Sequence, residues 1–250
     1  MAIARGGKAV YGASIGILML HARFPRIPGD MGNALTWPFP VRYKVVRGAS
    51  PDRVVRRRAD GLLPDFIAAA RELVDDGADG ITTNCGFLSL FQPELAAAVG
   101  VPVATSSLMQ IPLVARMLPP GRRVGVVTIS AATLTAEHLT KAGASADTPI
   151  AGTDPAGEFT RVILGDEMDL DVERARADVV EAARRLMADH ADIGAIVLEC
   201  TNMVPYAADV RAETGVPVFS IETLVAWFQA GLVPRRFGQD AGGRSAPLGS

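Results

Sequence analysis

The sequence contains few of the side chains from which most disulfide frameworks and metal sites are built. Its 250 residues include 2 cysteines and 3 histidines, and aromatic residues make up 6% of the chain. Two cysteines cannot form a disulfide framework, and no group of cysteines and histidines has the spacing of a zinc site. We therefore expect no structural disulfide, no metal ion and no cofactor that depends on one.

Charge and hydropathy make two further classes of protein improbable. The formal net charge is -2, which provides no broad basic surface for nucleic acid or for an anionic membrane. No uncharged apolar run reaches the roughly 18 residues of a membrane-spanning helix, and residues 1–6 lack the pattern of a secretory signal. We expect a cytoplasmic protein with neither a nucleic-acid nor a membrane partner.

Nucleotide binding also has no support, because neither a Walker glycine loop nor a G-x-G-x-x-G fingerprint is present. The arginine-rich run 53–58 is interpreted as the solvated start of a helix, which Ser50 and Pro51 would open as N-cap and first helical residue.

Short apolar runs alternate with helical patterns along most of the chain. The runs 15–20 and 124–129 are continuous, which is typical of strands buried on both faces of a sheet. Helical patterns include residues 52–75, with Gly61 and Pro64 as candidate breaks, and a long one over 166–190. This alternation predicts an α/β protein whose sheets are mostly parallel and flanked by helices.

The two cysteines lie at equivalent points of an internal repeat. Each follows a β-prone apolar run and precedes a helical pattern, and Gly-Val-Pro-Val begins at the same distance after each, at Gly100 and Gly215. The repeat predicts two similar lobes, with the last helix crossing back onto the first. The lobes are residues 1–119 plus 220–237 and residues 120–219, and residues 238–250 are expected to form a flexible tail.

Cys85 and Cys200 are the predicted catalytic residues. Ligands of open α/β sheets bind at the carboxyl ends of strands, where both cysteines lie, so two facing lobes would bring both thiols to one cleft. One thiolate could take a proton from a carbon next to a carboxylate while the other thiol returns one on the opposite face, which is racemisation without pyridoxal. A helix N-terminus after each cysteine would lower the thiol pKa.

The same cleft must stabilise a carbanion or an enediolate, for which backbone N–H groups and strand-end hydroxyls are the usual means. The candidate substrate-binding residues are Thr83, Asn84, Gly86, Thr128, Ser130, Thr133, Thr201, Asn202 and His21. Glu199 is either a catalytic helper or a residue on the other side of its strand, and Asp30 and Asn33 are either turn residues or substrate contacts. His138 and His190 fall in helical patterns and are expected at the surface or in helix caps.

Four segments together resemble the aspartate/glutamate racemase superfamily, which includes glutamate, aspartate and hydantoin racemases, maleate isomerase and arylmalonate decarboxylase. They are Ile15-Gly16-Ile17-Leu18, Thr83-Asn84-Cys85-Gly86, Val124-Gly125-Val126-Val127-Thr128 and Glu199-Cys200-Thr201-Asn202, and the resemblance covers about residues 14–235. It implies two pseudo-symmetric α/β lobes, cofactor-independent chemistry on small carboxylic acids, and Cys85 and Cys200 as the acid/base pair. It further implies that Asn84 and Thr201 bind the substrate's carboxylate or amino group, that Ser130 and Thr133 form a hydroxyl-bearing turn, and that the protein is a homodimer.

The sequence departs from glutamate racemases at two places. Met19-Leu20-His21 stands where they carry an acidic residue and a serine, and Asn202 stands where they tend to have histidine. The segment from Phe24 to Asp30 and its aromatic-rich loop are similar to the algal-type dimethylsulfoniopropionate lyases of the superfamily, in which a cysteine would remove the alpha proton and dimethyl sulfide would leave by β-elimination. Decarboxylases of the superfamily keep only the second cysteine.

Three hypotheses follow for the function. The first is a racemase or epimerase that acts on a small amino acid or related acid. The second is a lyase of the dimethylsulfoniopropionate type, or an enzyme like maleate isomerase or arylmalonate decarboxylase. The third is a non-catalytic, two-lobed protein that binds a small molecule.

Overall fold

The computed structural model describes residues 6–235, in which the chain forms two four-stranded parallel sheets. The strands are β1 (Ile15–Leu20), β2 (Val41–Val46), β3 (Gly80–Thr83), β4 (Val103–Ala104), β5 (Arg123–Thr128), β6 (Ile150–Gly152), β7 (Ile193–Leu198) and β8 (Val218–Phe219). The first sheet has the order β2-β1-β3-β4 and the second has the order β6-β5-β7-β8. Since both halves place their first and third strands at the centre, the predicted α/β class with two similar parallel sheets is confirmed.

Helices flank both sheets. They are α1 (Pro51–Val55), α2 (Leu63–Asp75), α3 (Gln92–Ala98), α4 (Ile111–Met117), α5 (Ala136–Lys141), α6 (Glu158–Gly165), α7 (Val172–Asp189), α8 (Ala207–Thr214) and α9 (Ile221–Leu232). Short 3₁₀ helices cover Ala34–Thr36, Gly86–Phe91, Ser107–Gln110 and Thr201–Tyr206.

The first helical region begins as predicted and is divided as its candidate breaks suggest. The Ser50 hydroxyl accepts a hydrogen bond from Arg53 N and Pro51 opens α1. The helix then ends, because Arg58 and Ala59 have φ angles of 55° and 53° and cannot continue a right-handed helix. The second helix starts only at Leu63.

The single long helix predicted over residues 166–190 is wrong at its start. Asp166 has a φ of 54° and follows α6 as its left-handed C-cap. The next helix, α7, begins at Val172 after Asp171, whose carboxylate accepts hydrogen bonds from Glu173 N and Arg174 N. The side chain of Asp171 therefore sets the start of the helix six residues later than the helical pattern indicated.

The last helix packs against the first sheet. Ile221 and Val225 of α9 share a buried cluster with Ile15 and Ile17 of β1. Gly80 at the start of β3 permits the close approach, because a Cβ there would lie 2.6 Å from Leu232 Cδ1. The β8 strand of the second sheet is thus followed directly by a helix that covers the first.

The division into lobes 1–119 plus 220–237 and 120–219 stays a prediction, and the predicted tail 238–250 lies outside the described residues. Within residues 6–235, no helix is both long and apolar enough to cross a bilayer. Nor does this part of the chain contain three or more His, Cys, Asp or Glu side chains grouped so that they could hold a metal ion.

Candidate active site

The two cysteines lie just beyond equivalent strands of the two sheets. β3 ends at Thr83, before Cys85, and β7 ends at Leu198, before Cys200. Each cysteine is also the N-cap of a 3₁₀ helix, Gly86–Phe91 in the first half and Thr201–Tyr206 in the second. The repeat seen in the sequence is therefore a repeat of three-dimensional position.

Both cysteines line one narrow cavity. Each is 8% exposed, and both are free thiols. The other polar residues of the lining are Asn84, Glu199, Thr201 and Asn202, and its apolar residues include Leu20, Phe24, Val55, Phe87, Ile129 and Ile163. A lining that combines a few polar groups with apolar side chains suits a small acid that also has an apolar part.

Hydrogen bonds join the two halves where they meet at the cavity. The Thr201 hydroxyl donates to Asn84 O at 2.6 Å, and the Ser107 hydroxyl donates to Leu198 O at 2.7 Å. Asn84 is itself fixed to β1, because its Oδ1 accepts from Leu20 N at 2.7 Å. These bonds hold the ends of the central strands in one arrangement around the cavity.

The loop between β1 and β2 reaches the second half through Asp30. This carboxylate is buried, accepts from Asn202 Nδ2, and is paired with Arg26 Nη1 at 2.9 Å. The Oδ1 of Asn202 in turn accepts the S–H of Cys200 at 3.6 Å. Asp30 is a turn residue, because its Oδ1 also accepts from Gly32 N at 2.7 Å, and it additionally anchors the residue that contacts the second thiol. A substrate contact at Asp30 stays a prediction.

Asn33 is a turn residue in this structure. Its side chain accepts from Leu35 N at 2.9 Å and donates to Arg26 O at 2.9 Å. It therefore shapes the loop from within.

Glu199 lines the cavity with a fully buried carboxyl group. Its Oε2 accepts a hydrogen bond from the Thr128 hydroxyl at 2.6 Å, while Oε1 has no partner among the described residues. Burial raises the pKa of Glu199 to about 7, and the Thr128 hydrogen bond opposes that rise. Of the two interpretations left by the sequence, the one in which Glu199 turns away from the cleft is wrong.

The pKa of each thiol is raised, chiefly by burial and then by the nearby Glu199 carboxylate. The N–H groups of the following turn do lower the pKa, for example those of Phe87 and Leu88 at Cys85, but burial has the larger effect. The prediction that the turn moves both thiols toward the thiolate is therefore wrong for the protein alone. Removing water from an anion costs more than a few backbone dipoles return.

Two predicted binding residues lie behind the cavity and support it. The Thr83 hydroxyl donates to Thr105 O at 2.7 Å and fixes the end of β3. The Thr128 hydroxyl is engaged by Glu199. Neither threonine belongs to the cavity lining.

Three further predicted residues also lie outside the lining. The Thr133 hydroxyl donates to Ser130 O at 3.4 Å, so that these two residues complete their own turn. His21 is exposed, and its backbone N–H donates to Ala49 O at 2.9 Å. The cavity lining thus contains Asn84, Gly86, Thr201 and Asn202 of the predicted binding set, but not Thr83, Thr128, Ser130, Thr133 or His21.

The other two histidines take part in helix capping. His138 takes part in the capping box of α5, where its Nδ1 accepts from Thr135 N at 3.0 Å, and burial lowers its pKa to about 4. His190 is the C-cap of α7. The expectation of a capping role is confirmed, but a surface position is wrong for His138, which is buried against the edge of Phe87.

Comparison with known proteins shows which family the chain belongs to. Residues 108–228 match the family model of the Asp/Glu/Hydantoin racemases. A dimethylsulfoniopropionate lyase of Durusdinium sp. clade D is 30% identical over 235 residues, which are 90% of this chain and 77% of that protein. Dimethylsulfoniopropionate lyase 7 of Emiliania huxleyi (strain CCMP1516) is 31% identical over 245 residues, which are 90% of this chain and 69% of that protein.

Solved structures show the same architecture at lower sequence identity. Unliganded arylmalonate decarboxylase superposes with a TM-score of 0.59 at 20% identity, over 95% of this chain and 96% of that one. The aspartate racemase of Picrophilus torridus superposes with a TM-score of 0.54 at 13% identity, over 88% of this chain and 95% of that one. These similarities concern the fold.

The protein is a member of the Asp/Glu/hydantoin racemase superfamily of enzymes. Within that superfamily, the chain belongs to the sequence family that includes the two dimethylsulfoniopropionate lyases.

Proposed function

We propose that this protein is a cofactor-independent lyase that acts on dimethylsulfoniopropionate or a closely related β-sulfonio acid. The support is the identity of 30% and 31% to two lyases of this name over 90% of the chain. The cavity lined by both thiols supplies the place where a buried base would meet a small substrate.

The reaction needs one base and a leaving group that departs as a neutral molecule. A cysteine thiolate takes the proton alpha to the carboxylate, and the electrons of that C–H bond form the new C=C bond. The C–S bond at the β-carbon breaks, its electron pair stays on sulfur, and dimethyl sulfide and acrylate are the products. The proton remains on the cysteine, which returns it to solvent.

Electrostatics favour a substrate that brings its own positive charge. No Lys or Arg side chain of the described residues lines the cavity, and burial keeps both thiols in the neutral form. A sulfonium group beside Cys85 or Cys200 would favour the thiolate, since an opposite charge at close range lowers a thiol pKa. The aromatic ring of Phe87 belongs to the lining and would attract this cation.

The test is product formation by the wild type and by two matched variants, Cys85→Ser and Cys200→Ser. We expect the wild type to form dimethyl sulfide in the headspace and acrylate by NMR in equal amounts. Because elimination needs a single base, we expect one variant to lose activity by about a thousandfold or more and the other to retain a measurable part of it. Absence of both products with the wild type would contradict the proposal.

A racemase remains the second candidate, favoured by the presence of both thiols on one cavity. It would need both cysteines, so both serine variants would be inactive. In deuterated water it would introduce deuterium into a chiral carboxylate while the total substrate is conserved, whereas a lyase consumes its substrate. Ligand binding that survives replacement of both cysteines, without turnover, would instead support a non-catalytic binding protein.

The small-acid partner, the homodimer and the cytoplasmic location follow from the resemblance and from composition, and they stay predictions. Size-exclusion chromatography with light scattering measures the oligomeric state directly.

A further inference from the structure

Glu199 is a buried acidic group without an ion-pair partner, and the proposed elimination does not use it. Its side chain lies at the end of β7, next to Cys200, and its own backbone is fixed by a bond from its N–H to Val127 O at 2.8 Å. The Thr128 hydroxyl donates to Oε2, but Oε1 is buried without a hydrogen-bond partner among residues 6–235. A buried carboxyl oxygen with no partner is costly unless another group comes to it.

The chain makes room for that oxygen from the opposite half. A Cβ at position 86 would lie 2.3 Å from Glu199 Oε1 and 2.4 Å from Glu199 O, so only glycine fits there. Gly86 and Glu199 both line the cavity, beside Cys85 and Cys200. The unpartnered oxygen therefore lies against the backbone of Gly86, between two residues that line the cavity.

Burial without a cationic partner favours the neutral acid at Glu199. The titratable groups that interact with Glu199 are the two thiols, Cys85 from the first half and Cys200 from its own strand end. Glu199 takes part in none of the ion pairs found in the described part of the chain. The carboxylate of Asp30 and the guanidinium of Arg26, which are paired with each other, act on Cys200 and Cys85 respectively. With no cation of its own, a buried carboxyl keeps its proton to a higher pH than an exposed one.

We propose that Glu199 is a catalytic residue that stays protonated and donates the O–H of Oε1 to a carboxylate oxygen of the substrate. The inference rests on the proposed function only in requiring that the substrate is a carboxylate. Oε2 is engaged as an acceptor by Thr128, so the proton belongs on Oε1. The proton stays on Glu199 throughout, and no proton-transfer step is added.

The role of such a donor is to lower the barrier to removing the alpha proton. As that proton leaves, negative charge moves onto the carboxylate oxygens, and a donor already in place strengthens its hydrogen bond as the charge grows. In a water-poor cavity this contribution is larger than it would be in solvent. An ionised Glu199 would do the reverse, because it would place a second anion beside the substrate.

The experiment measures the binding of propionate, a carboxylate that cannot undergo elimination, as a function of pH. Glu199 is protonated below its pKa of about 7 and loses its proton above it. We expect the wild type to bind propionate with a dissociation constant about tenfold larger at about pH 8 than at about pH 6. Propionamide, which is neutral, should bind with little dependence on pH.

Two variants of Glu199 separate charge from hydrogen bonding. Glu199→Gln keeps a permanent N–H donor and an acceptor for Thr128, so we expect propionate binding that does not change between about pH 6 and about pH 8. Glu199→Ala has no donor and should bind propionate weakly at both pH values.

A variant of the neighbouring residue, Thr128→Val, tests the pKa of Glu199 itself. It removes a hydrogen bond that lowers the pKa of Glu199, so the midpoint of propionate binding against pH should move to a higher pH than in the wild type.

The outcomes that overturn the inference are equally specific. A flat pH profile for the wild type, the same pH-dependent fall in Glu199→Gln, or no binding of propionate at about pH 6 would each reject it. If Glu199→Gln does not fold, Thr128→Val provides the test. A pH midpoint of propionate binding that is the same in Thr128→Val as in the wild type would reject the inference. A direct check is the infrared C=O band of a protonated carboxyl, which should be present in the wild type at about pH 6 and absent from Glu199→Gln.

Failure of this inference is distinguishable from failure of the lyase proposal. Dimethyl sulfide release is measured on the same preparations. If dimethyl sulfide is released but propionate binding does not show the predicted pH profile, the lyase proposal stands and the role of Glu199 is rejected. The predicted propionate profile without dimethyl sulfide leaves Glu199 as the carboxylate donor and rejects this substrate.

Discussion

At the scale of single residues, the site depends on a glycine and a glutamate that belong to different halves of the chain. Gly86 follows the first thiol, and Glu199 precedes the second. The absence of a side chain at position 86 lets the buried carboxyl lie directly against the opposite backbone. Two residues that are separated by more than a hundred positions are thus interdependent.

Replacing Gly86 by alanine should displace Glu199. Its Cβ would meet both an oxygen of the carboxyl group and the Glu199 carbonyl oxygen at less than 2.5 Å. We expect a loss of about 1–3 kcal/mol in the free energy of unfolding and a large loss of turnover, measured by urea denaturation and by product release.

The matched control is Gly231→Ala, in α9. A Cβ there meets nothing within 4 Å, so we expect unchanged turnover and stability that is equal or up to about 1 kcal/mol higher. Equal stability and activity of Gly86→Ala and wild type would contradict the proposed contact.

At the scale of elements, the loop between β1 and β2 is a structural part of the second half's thiol site. Asp30 connects it to Asn202, and Asn202 accepts the S–H of Cys200. A Cβ at Gly29 would lie 3.1 Å from Pro205 Cα, which shows how closely the loop packs on the turn after Cys200. The loop is therefore connected to the thiol of Cys200 through one amide side chain.

Removing the charge of Asp30 should loosen this loop. In Asp30→Asn the buried guanidinium of Arg26 loses its ion pair, and we expect a loss of about 3 kcal/mol in stability together with faster amide hydrogen exchange over residues 26–33. Thermal denaturation and hydrogen-exchange mass spectrometry measure the two effects.

Asp52→Asn is the control for Asp30→Asn. Asp52 is paired with Arg56 and Arg57 at the protein surface, so we expect a change below about 1 kcal/mol and no change in exchange over the loop. An Asp30→Asn variant that is no more affected than Asp52→Asn would show that the loop is held by other contacts.

At the scale of the whole molecule, an apolar groove lies between α4 and α9. It is lined by Leu113, Met117 and Trp227, and Trp227 is 66% exposed. The two helices come from the segment that connects the sheets and from the helix that returns to the first sheet. A second copy packed here would be held at the junction of the two halves, and we expect the predicted homodimer to use this groove.

Placing a charge in the groove should separate such a dimer. We expect Trp227→Glu to shift the mass measured by light scattering from that of a dimer to that of a monomer, because two carboxylates would be buried without partners. Leu35→Glu, on an exposed leucine of a different surface, should leave the mass unchanged. A wild-type protein that is monomeric at all concentrations would reject the homodimer.

The sequence by itself determined the architecture and the place of the cysteines. The strands β1 and β5 can be recognised from their continuous apolar runs, because a strand covered on both faces has few polar positions. The repeated spacing from Cys to Gly-Val-Pro-Val locates equivalent strand ends without any contact information. These are properties of local chain order. For the same reason Ser50 and Pro51 marked a helix start correctly, while Asp171, whose carboxylate caps α7, was missed inside a longer helical pattern.

Only the tertiary structure decided which polar side chains reach the cavity and how they ionise. Thr128 and Thr83 look like binding residues in the sequence, yet their hydroxyls are engaged behind the site, and Ser107 carries no motif although it ties the first half to the end of β7. The raised pKa values of Glu199 and of both thiols arise from burial between two segments that are distant in the chain. Desolvation depends on what the folded chain places around a group, and that information is absent from the neighbouring residues in sequence.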